Sequence, residues 1–471
     1  MNLKQHIEHP LFAIIGEEAA AMGFGAFAIG GFVRDLILDR PVVDVDVVCD
    51  GDGITLAKRC AERIGNPKVS IFKTFGTAHF AYDGFDWEFV GARKESYSHD
   101  SRNPVVSAGT LEDDQKRRDF TMNAMAISLQ RADFGEVIDP FNGLNAIAKG
   151  EIKTPLDPDI TYSDDPLRMM RAVRFASQLN FVLDKESLEA IRRNSHRISI
   201  ITQERISVEI NKIIESTLPS VGFKLMFNTG LLELVFPEMH RLQGVEIRDG
   251  LAHKDNFYHT LEVLDNVAQN SGDLWLRWAA IMHDIAKPPT KRFQKGTGWT
   301  FHGHEDKGAR LVPRIFKRMR LPQDNKMKFV QKLVLLHLRP IALTKEEITD
   351  SAVRRLVFEA GEDIDALMIL CRADITSKNE KKVKRYLANY ETVLERIIIV
   401  EESDRVRNFQ PPVTGEEIME KFGMGPCKEI GTLKQQIKEA ILDGKIPNEH
   451  DAAWEYTVKI AGEMGLKLRG V

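Results

Sequence analysis

The sequence predicts an α/β amino-terminal part followed by an almost wholly helical remainder. Residues 1–150 alternate short β-branched runs with amphipathic stretches, which is typical of α/β structure. From about residue 160 onward, apolar residues recur with the helical period in one stretch after another. Pro and Gly separate these stretches, for example at Pro237, Pro340 and Pro411. A length of 471 residues predicts several domains.

Composition indicates a soluble globular protein. The hydrophobic fraction is 43% and the charged fraction 28%. No apolar run reaches the roughly 20 residues that a membrane span needs, and the first residues lack the apolar core of a signal peptide. Four cysteines are scattered without metal or redox spacing. We therefore expect a cytoplasmic protein without a membrane partner.

Charge is unevenly distributed along the chain. The net charge of −4 does not by itself suggest a nucleic-acid partner. Residues 291–339, however, contain thirteen Lys or Arg against three Asp or Glu. Such a basic stripe is either a binding surface for a polyanion or a solvated helix face, and the sequence leaves both open.

Two aspartates at alternate positions of an apolar run form the most informative pattern. Segment 42–48 predicts a buried strand, in which every second side chain points the same way, so Asp44 and Asp46 share one face. Neighbouring carboxylates repel each other unless a cation lies between them. Magnesium prefers oxygen ligands and also holds substrate phosphates. The pair therefore predicts a site for two Mg²⁺ ions.

A glycine pair precedes this strand. Segment 26–29 predicts a strand, Gly30 and Gly31 a tight turn, and segment 32–38 the start of a helix. Glycines at such a turn let a phosphate approach the backbone, and Arg34 could hold phosphate oxygens bidentately. An ordinary turn beside a solvated acidic strand is the alternative. The Asp-x-Asp pattern that follows favours the phosphate site.

Gly-Gly-x-Val-Arg-Asp followed by Asp-x-Asp resembles the nucleotidyltransferases of the DNA polymerase beta superfamily. Within it, the chain is similar to the class II tRNA nucleotidyltransferases (CCA-adding enzymes) and the bacterial poly(A) polymerases. The resemblance implies an α/β nucleotidyltransferase head with a mixed sheet, followed by an all-α neck, an HD domain and a tail. It also implies Mg²⁺ as cofactor and tRNA, CTP and ATP as partners.

Further head motifs extend the resemblance. Segment 85–90 predicts a strand with Asp86 and Glu88 on one face, and Glu88 has the family's spacing to a following arginine. Beside Asp44 and Asp46, Glu88 would complete an acidic triad, whereas an exposed strand edge is the alternative. The polar segment 93–115 corresponds to a mobile loop of the family that helps switch nucleotide preference. Segment 117–125 matches an Arg-Arg-Asp-Phe-Thr-x-Asn-Ala motif, which implies that Arg118 binds a nucleotide phosphate.

The specificity motif of the family is Glu-Asp-x-x-Arg, and here it is Asp-Asp-Pro-Leu-Arg from residue 164. Asp165 and Arg168 are three apart on one helix face and offer fixed acceptors and donors to a base edge. Capping is an alternative role for Asp165, because Pro166 suits the first helical position. Arg171 and Arg174 lie further along the helix and either bind phosphate or brace the site.

A second set of possible ligands lies on successive predicted helices. It resembles the HD phosphohydrolase domain, whose ligands are a His, an adjacent His-Asp pair and a distal Asp. The resemblance makes His259, His283, Asp284 and Asp374 the candidates for a second divalent metal. Two further histidines, His304 and His337, occur in the same region. HD domains also serve as scaffolds, so activity at this site does not follow from the ligands.

Together these patterns predict a template-independent enzyme that adds CCA to tRNA with CTP and ATP. The expected domains are a head (1–150), a helical neck (151–245), an HD domain (246–400) and a helical tail (401–471). One alternative is a poly(A) polymerase, whose basic segment after the acidic strand differs from segment 72–80 here. Others are a partial enzyme that adds only CC or only A, and an HD phosphohydrolase with a nucleotide-binding head.

Overall fold

The computed structural model describes residues 1–73, 76–98, 101–343, 349–376, 379–404 and 410–469. They form two compact units, Met1–His240 and Arg241–Val471. Residues 74–75, which belong to the segment that bears on the poly(A) polymerase alternative, lie outside the described residues. None of the helices in the described ranges is both long enough and apolar enough to cross a membrane.

A seven-stranded mixed sheet forms the centre of the first unit. The strands of this unit are β1 (Ala26–Ile29), β2 (Asp44–Cys49), β3 (Ser70–Phe72), β4 (Thr77–Tyr82), β5 (Phe85–Gly91), β6 (Arg93–Ser98), β7 (Ser101–Ala108), β8 (Ala126–Ser128), β9 (Val137–Ile138), β10 (Glu151–Ile152) and β11 (Val182–Leu183). The sheet order is β3-β4-β5-β2-β1-β8-β9. Strands β2 and β5 are parallel, and the other neighbours are antiparallel. The predicted mixed sheet is thus confirmed.

Helices cover this sheet and form the rest of the first unit. They are α1 (Pro10–Ala21), α2 (Gly31–Ile37), α3 (Gly53–Arg63), α4 (Leu111–Lys116), α5 (Gly143–Lys149), α6 (Pro158–Asp164), α7 (Leu167–Leu179), α8 (Lys185–Asn194), α9 (Gln203–Ile214), α10 (Pro219–Asn228), α11 (Leu231–Val235) and α12 (Pro237–His240). The core lies where α1 and α3 pack on the sheet, and it includes Val45, Val47 and Trp87. Burying these apolar side chains leaves the alternate residues of β2 on the opposite face.

The segment 93–115 differs from the expected loop. Strands β6 and β7 pair as an antiparallel hairpin from Arg93 to Ala108, and α4 follows with a capping box at Thr110. Residues 99–100 at the hairpin tip lie outside the described residues. The polar composition suggested a loop because a segment with few apolar residues shows little of the alternation that predicts a strand.

The second unit is mainly helical. Its helices are α13 (Asn256–Asn270), α14 (Leu274–Met282), α15 (Lys287–Thr290), α16 (His304–Arg318), α17 (Asn325–Leu336), α18 (Leu338–Leu343), α19 (Asp350–Ala360), α20 (Ile364–Asp374), α21 (Glu380–Asp404), α22 (Gly415–Phe422), α23 (Lys428–Leu442) and α24 (His450–Glu463). Two small hairpins interrupt the helical pattern, one of β12 (Ile247–Arg248) and β13 (Leu251–Ala252), the other of β14 (Arg292–Gln294) and β15 (Gly298–Thr300). In the first hairpin, Asp249 and Gly250 form the turn with positive φ at both residues.

Candidate active site and candidate metal centre

Acidic side chains of two neighbouring strands share one face of the sheet. In the parallel register of β2 and β5, Asp44 lies opposite Asp86 and Asp46 opposite Glu88. The intervening Val45 and Trp87 are fully buried on the other face. The structure therefore brings together Asp44, Asp46 and Glu88, as the sequence predicted.

Burial raises the pKa of Asp46 above its usual value, and repulsion from Glu88 and Asp44 adds to this shift, whereas Arg118 opposes it. A divalent cation would stabilise this group of carboxylates, because the cation offsets both their repulsion and the lost hydration of Asp46. The donor set consists of oxygens alone, which suits magnesium.

The turn at Gly30 brings an arginine next to this acidic cluster. Gly30 has φ 82° and ψ −134°, a backbone conformation that residues with a side chain rarely adopt. A Cβ atom at Gly30 would lie 2.7 Å from Nη1 of Arg118 and 3.2 Å from Oδ2 of Asp46. Glycine is thus required here for its φ and for the space that it leaves between the guanidinium and the carboxylate.

The neighbouring arginines Arg117 and Arg118 both contact one buried acid. Arg118 donates from Nε to Asp114 at 3.1 Å, and Arg117 also pairs with that carboxylate, which is fully buried. Phosphate binding was expected of Arg118, so its pairing with Asp114 is an additional, local contact. Arg118 also lies next to Gly30 and Asp46. Its position beside the acidic cluster therefore distinguishes Arg118 from Arg117.

Arg34 differs from its expected arrangement. Its Nε and Nη2 both donate to Asp35, at 3.0 and 2.6 Å, and Nη1 donates to Asn123 at 2.7 Å. The bidentate edge expected to hold a phosphate is therefore occupied by the adjacent Asp35. The sequence did not predict this pairing, because neighbouring residues on a helix usually point in different directions.

The specificity motif lies at the start of α7. Oδ1 of Asp165 accepts a hydrogen bond from the Leu167 amide at 3.1 Å, so Asp165 does cap the helix. Nη2 of Arg168 donates to the backbone oxygen of Arg117 at 2.5 Å. This bond connects α7 to the Arg-Arg-Asp motif of segment 117–125, here called the double-arginine motif. Both side chains also line the cavity beside the acidic cluster. Capping and exposure to the cavity therefore coexist.

Arg171 holds an acid of the double-arginine motif. It donates from Nε to Oδ2 of Asp119 at 2.7 Å. Burial alone would raise the pKa of Asp119, but Arg171 and a hydrogen bond from Asn123 lower it to about 2. Arg171 is thus a positioning residue of the cavity wall as well as a source of positive charge in it.

Arg174 is buried and pairs with Glu209, a residue of the cavity wall. It is 6% exposed and pairs with Glu209 at 3.3 Å, and its guanidinium lies 4.1 Å from the ring centroid of Phe175. Burial lowers the pKa of Arg174 to about 10, although Glu209 opposes the shift. Of the two expected roles, this buried pairing supports bracing of the site. The contact joins residues far apart in sequence.

A cavity of about 500 Å³ collects most of these side chains. From the sheet side it is lined by Asp46, Thr77, Glu88, Val90, Arg93, Arg117, Arg118 and Asp119, and from the helical side by Asp165, Leu167, Arg168, Arg171, Arg205, Val208 and Glu209. A second cavity on the other side of the acidic cluster is lined by Gly31, Arg34, Asp44 and His79, among others.

Arg205 and His79 are charged or titratable cavity residues to which the sequence assigned no role. Arg205 on α9 lines the first cavity, and its segment was assigned no chemistry. His79 lies directly opposite Glu88 in the register of β4 and β5, and its Nε2 is 3.1 Å from Oδ1 of Asp86. The border that Arg205 forms with the cavity depends on the packing of α9, which the sequence does not show.

In the second unit, the expected metal ligands form one buried cluster. Nε2 of His259 lies 2.9 Å from Oδ1 of Asp374, and Nε2 of His283 lies 3.2 Å from Oδ2 of Asp284. Nε2 of His259 also lies 3.5 Å from Oδ2 of Asp284, so the four candidate side chains form one connected group. His304 and His337 join them, because Nε2 of His304 lies 3.2 Å from Oδ1 of Asp284. Two groups have the spacing of a metal site: His259, His283 and Asp284, and Asp284, His304 and His337.

Backbone oxygens fix the orientation of three of these histidines. Nδ1 of His283, His304 and His337 lies 2.7 to 2.8 Å from a carbonyl oxygen one turn before it. A carbonyl can only accept, so Nδ1 carries the proton and Nε2 is free to bind a metal. Nε2 of His304 lies 3.3 Å from Nε2 of His337. Two lone pairs so close repel each other, and a cation between them would relieve this repulsion.

Two lysines border the cluster. Nζ of Lys287 lies 2.6 Å from Oδ2 of Asp284, and Nζ of Lys254 lies 3.1 Å from Nδ1 of His259. The pKa of Asp284 is well below its usual value because His283 and Lys287 outweigh its burial. The donor set of imidazole nitrogens and carboxylates, with one acid shared by both groups, fits a transition-metal site.

Comparison with protein families assigns a model to three parts of the chain. "Poly A polymerase head domain" matches residues 26–153, "Probable RNA and SrmB-binding site of polymerase A" matches residues 180–243, and "HD domain" matches residues 256–379. The expected HD domain is thereby confirmed.

Similar proteins match almost the whole chain. A CCA-adding enzyme of Geobacillus sp. is 38% identical over 442 residues, which cover 93% of both chains. An A-adding tRNA nucleotidyltransferase of Deinococcus radiodurans is 30% identical over 439 residues, which cover 91% of this chain and 94% of the relative.

Solved structures share the fold. The Bacillus stearothermophilus CCA-adding enzyme in complex with CTP gives a TM-score of 0.68 at 23% identity, with 97% of this chain and 99% of that chain covered. The Thermotoga maritima CCA-adding enzyme complexed with tRNA gives 0.63 at 19% identity, with 98% and 99% covered. These similarities confirm the predicted fold class.

Proposed function

Because this chain belongs to the family of the tRNA nucleotidyltransferases, we propose that it builds the CCA end of tRNA from CTP and ATP without a nucleic-acid template. The observation that carries the proposal is the pairing of Asp46 with Glu88 beside a cavity lined by Asp165 and Arg168. Asp46 and Glu88 are suited to phosphoryl transfer. Asp165 and Arg168 are suited to recognising a base. The two functions therefore border one cavity.

Asp44, Asp46 and Glu88 would hold two divalent cations, and we propose Mg²⁺ because all the donors are carboxylate oxygens. When bound, these ions would activate the 3′-hydroxyl of the RNA and neutralise the leaving pyrophosphate. Asp46 contributes by its burial, which makes an uncompensated negative charge costly and so favours metal binding.

The triphosphate would lie beside the turn of Gly30 and Gly31, because Gly31 lines the second cavity together with Asp44 and Asp46. Arg118 is positioned there and would contact a phosphate. Arg34 would act through Asp35 and Asn123, which it holds in place.

Base selection is assigned to Asp165 and Arg168. A carboxylate and a guanidinium present acceptors and donors that can match the Watson–Crick edges of cytosine and adenine. The contact between Arg168 and the backbone of Arg117 restricts the motion of that guanidinium, as a site that reads hydrogen bonds requires. Arg171 adds charge and fixes Asp119, and Arg174 braces α7 against α9.

The test is to incubate the purified protein with three tRNAs that end before CCA, after C and after CC. CTP alone, ATP alone and both together are supplied, and the products are sequenced. Addition of C, C and A in order supports the proposal. Arrest after CC, or addition of A only to the CC-ended tRNA, would identify a partial enzyme, a question that the CCA-adding and A-adding relatives leave open. Long A tracts on unrelated RNA would identify a poly(A) polymerase.

A second activity is supported by the buried cluster around Asp284. We propose that the HD domain binds a divalent metal and hydrolyses a phosphoester, for example a 2′,3′-cyclic phosphate at a damaged RNA end. The orientation of three histidines with Nε2 toward Asp284 supports it. Metal content measured on Asp284→Asn and His304→Gln, beside hydrolysis assays with added divalent metals, tests it. Unchanged metal content in both variants would contradict it.

The division into head (1–150), neck (151–245), HD domain (246–400) and tail (401–471) remains our proposal for the functional parts. Limited proteolysis followed by mass spectrometry would test the boundaries. We also propose the cytoplasm as the compartment, because precursor tRNA, CTP and ATP would meet the enzyme there.

A further inference from the structure

One face of α16 consists of basic side chains. Lys307, Arg310, Arg314, Lys317 and Arg318 are all exposed, and their spacing of three or four residues places them on one side of the helix. We call them the α16 cationic face. The opposite side, with Val312, Ile315 and Phe316, is buried. From Lys307 to Lys317 the face is about 15 Å long.

Few carboxylates neutralise this face. Glu305 and Asp306, in the first turn, are the acids within α16, and Asp306 pairs with Arg310 at 2.7 Å. Arg314 and Lys317 have no ion-pair partner within the described ranges. The start of the next helix adds the exposed Lys326 and Lys328.

The helix dipole does not account for this arrangement. Cations stabilise the last turn of a helix, which suits Lys317 and Arg318, but they are unfavourable near the first turns, where Lys307 and Arg310 lie. Repulsion among five cations on one face also opposes folding. A face that is kept at this cost, in a chain of net charge −4, is best explained by a polyanionic partner.

We infer that the α16 cationic face binds the sugar-phosphate backbone of the tRNA substrate. A row of Lys and Arg without interleaved acids contacts phosphates irrespective of sequence, as an enzyme acting on many tRNAs requires. The inference rests on the proposed function for the identity of the RNA. It assigns substrate binding to the second unit, outside residues 180–243, which the RNA-binding family model matches.

The test compares two double variants with the same loss of charge. Arg314→Gln with Lys317→Gln alters the face, and Lys381→Gln with Lys384→Gln alters exposed lysines at the start of α21. Binding of fluorescent tRNA is measured by anisotropy from 50 to 300 mM KCl without nucleotides. We expect a several-fold weaker affinity for the first variant alone, with the slope of log K against log salt reduced by about 1.5 for two lost phosphate contacts.

The charge-preserving pair Arg314→Lys with Lys317→Arg should bind as the wild type does. The KM for CTP should not change in any of these variants, because the face is not part of the nucleotide cavity. Unchanged tRNA affinity in the first variant, or equal weakening in the control, would overturn the inference. If the wild type extends no tRNA but the first variant still loses tRNA affinity, the proposed function fails and the inference stands.

Discussion

Asp46 and Glu88 lie directly opposite each other on two neighbouring parallel strands, with a buried residue on either side of each. This register places two carboxylates on one face of the sheet although 41 residues lie between them in sequence. The pairing depends on β5 being inserted next to β2, and on the alternation of apolar and acidic residues in both strands. The chemistry proposed for the protein follows from this face and from the cavity that it borders.

Asp165→Asn separates helix capping from base reading. Asparagine caps a helix about as well as aspartate, so the melting temperature should stay within about 1 °C of the wild type. The amide replaces one acceptor by a donor, so discrimination against UTP and GTP should fall by about tenfold or more. Competitive incorporation with all four nucleotides measures it. Unchanged selectivity in Asp165→Asn, together with a lower melting temperature in Asp165→Ala, would show that Asp165 is only a cap.

Arg205→Ala removes a cation from the wall of the nucleotide cavity. Both substrates are polyanions, so we expect a higher KM for nucleotide or tRNA, by roughly 5-fold, with little change in stability because the side chain is exposed. Initial rates with each substrate varied in turn identify which one it contacts. Arg205→Lys is the matched control and should retain most of the affinity. Equal KM values for both substrates in Arg205→Ala and the wild type would remove Arg205 from the site.

Arg174→Ala should destabilise the first unit by about 3–5 kcal/mol, because Glu209 is then left buried without its partner. The double variant Arg174→Met with Glu209→Leu should recover most of this loss. Urea unfolding of the wild type, both single variants and the double variant gives the coupling between the two residues. A stable Arg174→Ala with a raised KM for CTP would instead return Arg174 to the nucleotide-binding residues.

Asp119 makes stability depend on pH in the acid range. Its pKa is about 2 in the folded protein and near 4 in the unfolded chain, so the ionised form stabilises the fold. This contribution, about 2 kcal/mol, is fully present above pH 4 and is lost as the pH falls toward 2. Asp119→Asn should therefore have a lower free energy of unfolding than the wild type at pH 7. The difference in free energy of unfolding between the variant and the wild type should become smaller as the pH falls toward 2. A difference that is constant with pH would contradict the assignment.

The sequence predicted the acidic face because its signal is local. Alternation in two short strands determines which side chains share a face, and the resemblance supplied their pairing. The glycine turn and the capping position of Asp165 were predictable for the same reason, since each depends on residues within a few positions.

Contacts between distant segments were not predictable. Arg174 was expected either to bind phosphate or to brace the site, but its pairing with Glu209 on α9, in the cavity wall, did not follow from the sequence. Arg34 and His79 likewise take partners that follow from the packing of α2 and β4, not from spacing. The turn at Asp249 and Gly250 is a missed local signal, because Asp-Gly between short extended segments is typical of a hairpin.

The most direct test of the account is tRNA extension by Asp46→Asn beside the wild type, with tRNA lacking CCA and with CTP and ATP. The wild type should add three nucleotides, and the variant should be slower by about 10³-fold or more, with an unchanged or higher melting temperature because one repelling charge is lost. A variant that extends tRNA at a rate near that of the wild type would contradict the assignment of the acidic face as the catalytic centre.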